Sequence, residues 1–171
     1  VVGAATSALT NDQCTPYTVH YAYDTVALAK GTGSAIVDGG GKSWYFLTAD
    51  YAFGAALQND TSKVVTAAGG TIAGSVKHPL NASDFSSFLL QAQASKAKVI
   101  GLANAGQDTI NSIKQAGEFG IVKAGQKLAG MLFFATDVQS LTLPVARGLV
   151  LTEAFYWYLN DETRAWNKRY R

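Results

Sequence analysis

The feature that most constrains this chain is an alternation. Short apolar runs and amphipathic stretches follow one another from about residue 24 to residue 153. Trp44-Tyr45-Phe46-Leu47-Thr48-Ala49 lies between Gly39-Gly40-Gly41 and Asp50, which predicts a strand buried on both faces. Residues 53–68 then place Leu57, Val64, Val65 and Ala68 on one helical face, with Gly69-Gly70 as the stop. Thr71 to Lys77 reads as a second strand. Asp84 is placed to cap a helix carrying Phe85, Phe88, Leu89 and Ala92. Lys98 to Ala103 is a third strand, and Asp108 is the expected cap of a helix with Ile110, Ile113 and Gly117 inward and Gly120 at its end. Leu128 to Phe134 and Leu149 to Glu153 read as a fourth and a fifth strand. Asp24 is expected to cap a helix from about Thr25 to Val37, and Asp161 one from Glu162 to Arg171. Strand–helix alternation with short connections selects right-handed crossovers. It predicts an α/β fold: a Rossmann-like parallel sheet with helices on both faces.

Composition narrows the function. The chain is 48% hydrophobic and only 15% charged, which fits a well-buried core and not a disordered segment. Fourteen basic against twelve acidic residues leave a net charge of +2, too balanced for a nucleic-acid footprint. The one basic cluster, Arg164, Lys168, Arg169 and Arg171, reads as the solvated face of a helix. No run of eighteen apolar residues is present, so no span of a membrane is expected. Cys14 has no partner in the chain and no neighbouring base; it reads as a buried structural cysteine, or one whose partner lies elsewhere. The chain opens on Val1-Val2-Gly3 without Met and closes inside a predicted helix, so a trimmed product that has lost its targeting sequence is expected.

Motifs for chemistry fail one by one. Gly41-Lys42-Ser43 ends like a phosphate-binding loop, and Gly31-Thr32-Gly33 begins like a dinucleotide fingerprint. Both motifs demand glycine where Ile36 stands. No Gly-x-Ser-x-Gly elbow exists. His78, before Pro79, reads as a surface or loop residue. His20, in an alternating extended segment, either lines a cleft or packs as an ordinary histidine. Two distant histidines and one cysteine make no metal site. Asn59-Asp60-Thr61 and Asn81-Ala82-Ser83 fit only the weak glycosylation pattern. No catalytic residue, metal or cofactor is therefore assigned.

Position along the sheet carries the rest. Ligands of open parallel sheets bind beyond the carboxyl ends of the strands. The loops there are Asp50-Tyr51-Ala52-Phe53-Gly54, Asn104-Ala105-Gly106-Gln107-Asp108 and Ala135-Thr136-Asp137. They supply aromatic rings, an amide, a hydroxyl and carboxylates, which suits a small molecule with an apolar body and a polar end. Taken singly, Asp50, Asp108 and Asp137 read equally well as helix caps and Phe53 as core.

In order and spacing, Gly3-Ala4-Ala5-Thr6-Ser7-Ala8-Leu9-Thr10, Asp50-Tyr51-Ala52-Phe53-Gly54, Asp84-Phe85-Ser86-Ser87-Phe88 and Gly148-Leu149-Val150 carry a resemblance. The chain resembles the periplasmic solute-binding proteins of ABC importers for branched-chain amino acids and related compounds. The resemblance implies two Rossmann-like lobes joined by three crossings, with the solute between them. Residues 1–20 would then be the end of the first lobe and a hinge crossing, residues 21–153 the second lobe, and residues 154–171 the return crossing and the start of a first-lobe helix. It further implies that Ala4, Ala5 and Thr6 hold a ligand carboxylate, and that Phe53, with Tyr51 beside it, is the cleft aromatic. Asn104, Ala105, Thr136 and Asp137 complete the expected ligand-binding set. Amino-acid binders of the family carry an aromatic after the third strand, where this chain has Asn104-Ala105-Gly106. They carry an acid after the fourth, which falls to Asp137 and would pair with a ligand ammonium. The missing aromatic points away from an α-amino acid and toward a carboxylate with a bulkier body. The implied partners are a small solute (amino acid, amide or aromatic carboxylate) and the membrane permease of an importer. The implied location is the periplasm, or the outer face of a membrane through a lipid anchor. A ligand-sensing domain of a receptor or regulator shares the fold and is the alternative. An enzyme on a doubly wound sheet would need a nucleophile–base pair, phosphate loop or metal cluster.

Overall fold

The computed structural model describes residues 1–170. Four parallel strands form one sheet: β1 (Ser43–Ala49), β2 (Thr71–His78), β3 (Val99–Ala103) and β4 (Lys127–Gly130), in the order β2-β1-β3-β4. Helices α1 (Thr25–Leu28) and α2 (Ser34–Asp38), joined by a π-helical turn over Ala29–Gly33, precede the sheet. Helix α3 (Ala52–Ala67) crosses from β1 to β2, α4 (Ser86–Ala94) from β2 to β3 and α5 (Gly106–Glu118) from β3 to β4. Two short helices, α6 (Ala135–Val138) and α7 (Leu143–Ala146), and the terminal α8 (Asp161–Tyr170) follow. The register Tyr45–Ile100–Leu128 runs straight across β1, β3 and β4.

Strand alternation builds two cores. Tyr45, Leu47, Ile100, Leu102 and Leu128 face α4 and α5, where Phe85, Leu89, Ile113 and Ala116 close the layer. Trp44, Phe46, Val99 and Ala129 face the other way, onto Leu28, Ile36, Val37, Leu57 and Val65. Helices therefore cover both faces, and the inner strands are apolar on both, as buried parallel strands are. Gly101 is the small residue that admits the Trp44 and Phe46 rings; a Cβ there would lie 2.6 Å from the Phe46 ring.

Several sequence expectations change. Leu128 to Phe134 is not one strand, because the chain turns at Met131-Leu132 and Phe133 folds back over Gly130. Leu149 to Glu153 is not a strand; it contributes one parallel bridge, Val150 to Ala129. Thr152 instead hydrogen-bonds Thr32 in the π turn at 2.8 Å, and Gly31 leaves room for it. Ala68 lies past the end of α3 and is exposed, and Gly117 is exposed while Ala116 takes the inward position. Asp161 is not the cap of α8. Asn160 comes first and accepts the Thr163 N–H at 2.9 Å, while Asp161 pairs with Arg164 at 2.5 Å. In the basic cluster Lys168 and Arg169 are exposed, Arg164 lies over the Tyr158 ring at 4.9 Å, and Arg171 lies outside the described residues. Cys14 is exposed, not buried.

Asp24 does cap α1, accepting the Ala27 N–H at 2.7 Å. Replacing a side-chain cap by alanine costs about 1 kcal/mol. Asp24→Ala should therefore lower the melting temperature by about 2–4 °C, read by thermal denaturation.

Candidate functional site

The order β2-β1-β3-β4 reverses direction between β1 and β3, and a crevice opens beyond the carboxyl ends of strands at such a point. A cavity of about 640 Å³ occupies that place. One wall comes from the start of the chain. Ala4, Ala5 and Thr6 line it, with Gly3, Ala8 and Gln13 beside them. The other wall comes from the sheet edge: Tyr51, Ala52, Phe53 and Ala56 from the β1–α3 corner, Ala105 from the β3–α5 corner, and Leu132 from the turn after β4.

Local backbone chemistry sets the first wall. Thr6 is extended and caps a 3-10 turn over Ser7–Thr10, its Oγ1 accepting the Ala8 N–H at 3.3 Å. That bond occupies a lone pair and leaves the hydroxyl proton free to donate into the cavity. The neighbouring segment at residues 19–21 steadies this one. Tyr21 N–H donates to the Val1 carbonyl at 2.9 Å, and His20 Nε2 lies 2.8 Å from the Ala4 carbonyl. His20 thus holds the loop from behind.

Close approach sets the second wall. Tyr51 N–H turns back onto the Ala49 carbonyl at 2.8 Å, and α3 starts at the next residue. Gly54 lets the first turn of α3 rest directly on the ends of β1 and β3. A methyl group there would overlap the Ala49 carbonyl oxygen and sit 3.1 Å from that of Ala103. The Tyr51 and Phe53 rings, 5.7 Å apart and tilted by 44°, form an aromatic surface. Burial first, and then the charge of Asp108, push the Tyr51 phenol above its ordinary value, so it stays a protonated donor. Neither α3 nor α5 has a side-chain cap at its first turn, and α3 has no acidic residue there.

The remaining expected residues fall elsewhere. Asn104 is fully buried beneath the cavity and lines none of it. Its Oδ1 accepts the Thr109 hydroxyl at 2.8 Å, and its Nδ2 lies 3.2 Å from Ser112 Oγ and 3.1 Å from His78 Nε2. His78 is accordingly a buried strand-end residue and not a surface one, with Nδ1 2.8 Å from the Pro79 carbonyl and Phe85 edge-on at 4.8 Å. Asp108 is not the cap of α5, which begins two residues earlier; its buried Oδ2 accepts the Asn81 N–H at 3.1 Å. Asp50 is exposed and pairs with Lys77 at 2.8 Å. Thr136 is exposed on α6. Asp137 Oδ2 accepts the Phe134 N–H at 2.9 Å, and neither residue lines the cavity. The turn at Met131-Leu132 is the cause: it hands the cavity to Leu132 and sends the next five residues away. Gly3, Ala8, Gln13, Ala52, Ala56 and Leu132 also line the cavity and lie outside the expected ligand-binding set. Gly3, Ala8 and Ala52 stand within the stretches that carry the resemblance, and Ala56 lies one helical turn from Ala52; Gln13 and Leu132 carry no such signal.

Among the described residues no three His, Cys, Asp or Glu side chains group as metal ligands, and no helix is long and apolar enough to cross a membrane. A family model described as periplasmic binding protein matches residues 1–171. The chain is 62% identical to a periplasmic binding protein from Burkholderia mallei, with a TM-score of 0.91 over 99% of this chain and 45% of that one. It is 38% identical to a periplasmic ligand-binding protein of a branched chain amino acid ABC transporter from Burkholderia xenovorans (TM-score 0.89; 98% of this chain, 45% of that one). It is 26% identical to an ABC transporter solute binding protein from Rhodopseudomonas palustris in complex with 3,4-dihydroxybenzoic acid (TM-score 0.78; 98% of this chain, 46% of that one). The chain thus spans about 45% of the length of the structures it matches. No curated protein matches it.

Proposed function

Because this chain belongs to the periplasmic binding protein family, we propose that it forms one half of an extracytoplasmic solute receptor serving the permease of an ABC importer. In this reading residues 21–153 are the second lobe, residues 1–20 the end of the first lobe and a hinge crossing, residues 154–171 the return crossing and the start of a first-lobe helix, and the solute is a small carboxylate held between lobes. The observation that carries the reading is the meeting of Ala4, Ala5 and Thr6 with Tyr51, Phe53 and Ala105 around one cavity. Backbone amides and the free Thr6 hydroxyl are the donors a carboxylate needs, and the paired rings suit its body. Closure of two lobes by hinge bending would present a changed surface to the permease. The reading involves no covalent step.

Thr6→Ala in the full-length protein tests it. Loss of a hydrogen bond to a charged group costs about 1.5–3 kcal/mol, so affinity for a bound carboxylate should fall roughly 10- to 100-fold by titration calorimetry. The wild-type protein should gain about 2.7 kcal/mol of stability with a ligand at one hundred times its dissociation constant. An unchanged affinity in the Thr6→Ala protein would count against the assignment.

A further inference from the structure

Val19 and Tyr21 are exposed, and His20 between them is half-buried, with Nε2 2.8 Å from the Ala4 carbonyl oxygen. A carbonyl oxygen only accepts, so Nε2 carries the proton and donates. One residue further on, the Tyr21 N–H donates to the Val1 carbonyl and keeps the two segments in step. The Ala4 carbonyl and the Ala5 N–H belong to one planar trans peptide unit, in which they point in opposite directions. His20 lines no part of the cavity, whereas Ala4 and Ala5 do. A bond that holds the carbonyl on the His20 side therefore turns the Ala5 N–H toward the cavity. Ala5 is 8% exposed, and among the described residues its N–H meets no acceptor. A buried amide left without an acceptor costs as much as a lost hydrogen bond, and an anionic oxygen at the cavity wall removes that cost.

We propose that His20 is a positioning residue for the solute: it touches no solute atom and sets the aim of the Ala5 N–H. The proposal rests on the carboxylate-receptor reading above and adds to it a residue from outside the cavity. Two effects act together. The donor sense runs one way, from the imidazole N–H through the Ala4 carbonyl and the Ala5 N–H to a carboxylate, and hydrogen bonds in such a chain polarise one another. Fixing the peptide plane beforehand also spares the solute the cost of ordering a loose loop. Thr6 does not depend on His20 in this way, because its Oγ1 is already tied to the Ala8 N–H within the 3-10 turn.

Two substitutions in the full-length protein test this, with benzoate and L-leucine as the probes in titration calorimetry. His20→Leu removes the donor and keeps the bulk. It should weaken binding of the probe that the wild type holds by about 10-fold, the lower end for a lost hydrogen bond to a charged group. Thermal unfolding of the ligand-free variant should stay near wild type. His20→Gln places an amide N–H at the reach of Nε2 and should restore most of the affinity. The Ala5 amide proton, followed by nuclear magnetic resonance, should move downfield on saturation with the probe in wild type and His20→Gln, and much less in His20→Leu. Equal affinity in wild type and His20→Leu overturns the positioning role and leaves the carboxylate receptor standing. Weakened binding that His20→Gln does not restore, with a lowered melting temperature in both variants, assigns His20 to packing and overturns it too. Binding of neither probe by the wild type, with no shift at Ala5, overturns the receptor reading and the role of His20 with it.

Discussion

Gly54→Ala should destabilise the chain by about 3 kcal/mol, the upper part of the range for overpacking a tight site. Helix propensity predicts the opposite sign, because alanine is the better helix former by about 1 kcal/mol. Magnitude decides. Gly54 sits in the first turn of α3, where a methyl group overlaps the Ala49 carbonyl oxygen and comes within 3.1 Å of the Ala103 carbonyl oxygen. Neither neighbour is a flexible side chain. Both are backbone at the ends of inner strands, so the helix must lift instead. Lifting it carries Tyr51, Ala52, Phe53 and Ala56 away from the Ala4–Thr6 wall, so stability and solute affinity should fall together. Gly117→Ala is the control. It is also helical, but it is exposed and has nothing within 4 Å of an added Cβ, so propensity alone acts and the chain should gain roughly 0.5–1 kcal/mol. Urea denaturation of both variants separates the effects. A stabilised Gly54→Ala protein would mean that α3 does not rest on the strand ends as described.

The alternation of strand and helix was legible because its signals are local. Trp44 to Ala49 and Val99 to Ala103 are apolar on both faces, and such runs fit only a buried strand between glycines and caps. Asp24 and Gly120 likewise act within a few residues, and both did as their type predicts; Gly120 takes φ 68° just past α5. Most of what escaped was decided at a distance. The apolar run of 149–153 looked like a fifth strand. Its fate turns on Thr152 meeting Thr32, 120 residues away, and on the space left at Gly31. His78 looked exposed because nothing near it in sequence announces Asn104 or Phe85 as partners. The cavity divides the same way. Tyr51, Phe53 and Ala105 were visible as residues just past strand ends. Leu132 was not, because its place depends on where β4 stops. A strand running to Phe134 would have delivered Thr136 and Asp137 to the cavity instead.

Asn104→Leu should cost about 4 kcal/mol, more than any single surface change and comparable to a large core truncation. Leucine matches asparagine in shape but makes none of its bonds. In the native fold one amide satisfies the Thr109 hydroxyl from one side and reaches Ser112 Oγ and His78 Nε2 from the other, all at full burial. Removing it strands at least the His78 nitrogen and the Thr109 hydroxyl, and each buried unsatisfied group costs about 1–3 kcal/mol. The His78 ring cannot compensate by exchanging its nitrogens, because Nδ1 is engaged with the Pro79 carbonyl. Thr109→Val in the same background isolates the pairwise term: a double-mutant cycle should return a coupling of about 1–2 kcal/mol between positions 104 and 109. The functional readout separates two roles for Asn104. As a solute contact, it would lose affinity on mutation while stability held. As the pin that ties β2, β3 and α5 together under the cavity, it should lose stability first. Affinity should then fall only as far as Ala105 and the start of α5 shift. Urea denaturation alongside calorimetry reads both quantities. An Asn104→Leu protein of native stability with abolished binding would return Asn104 to the cavity wall.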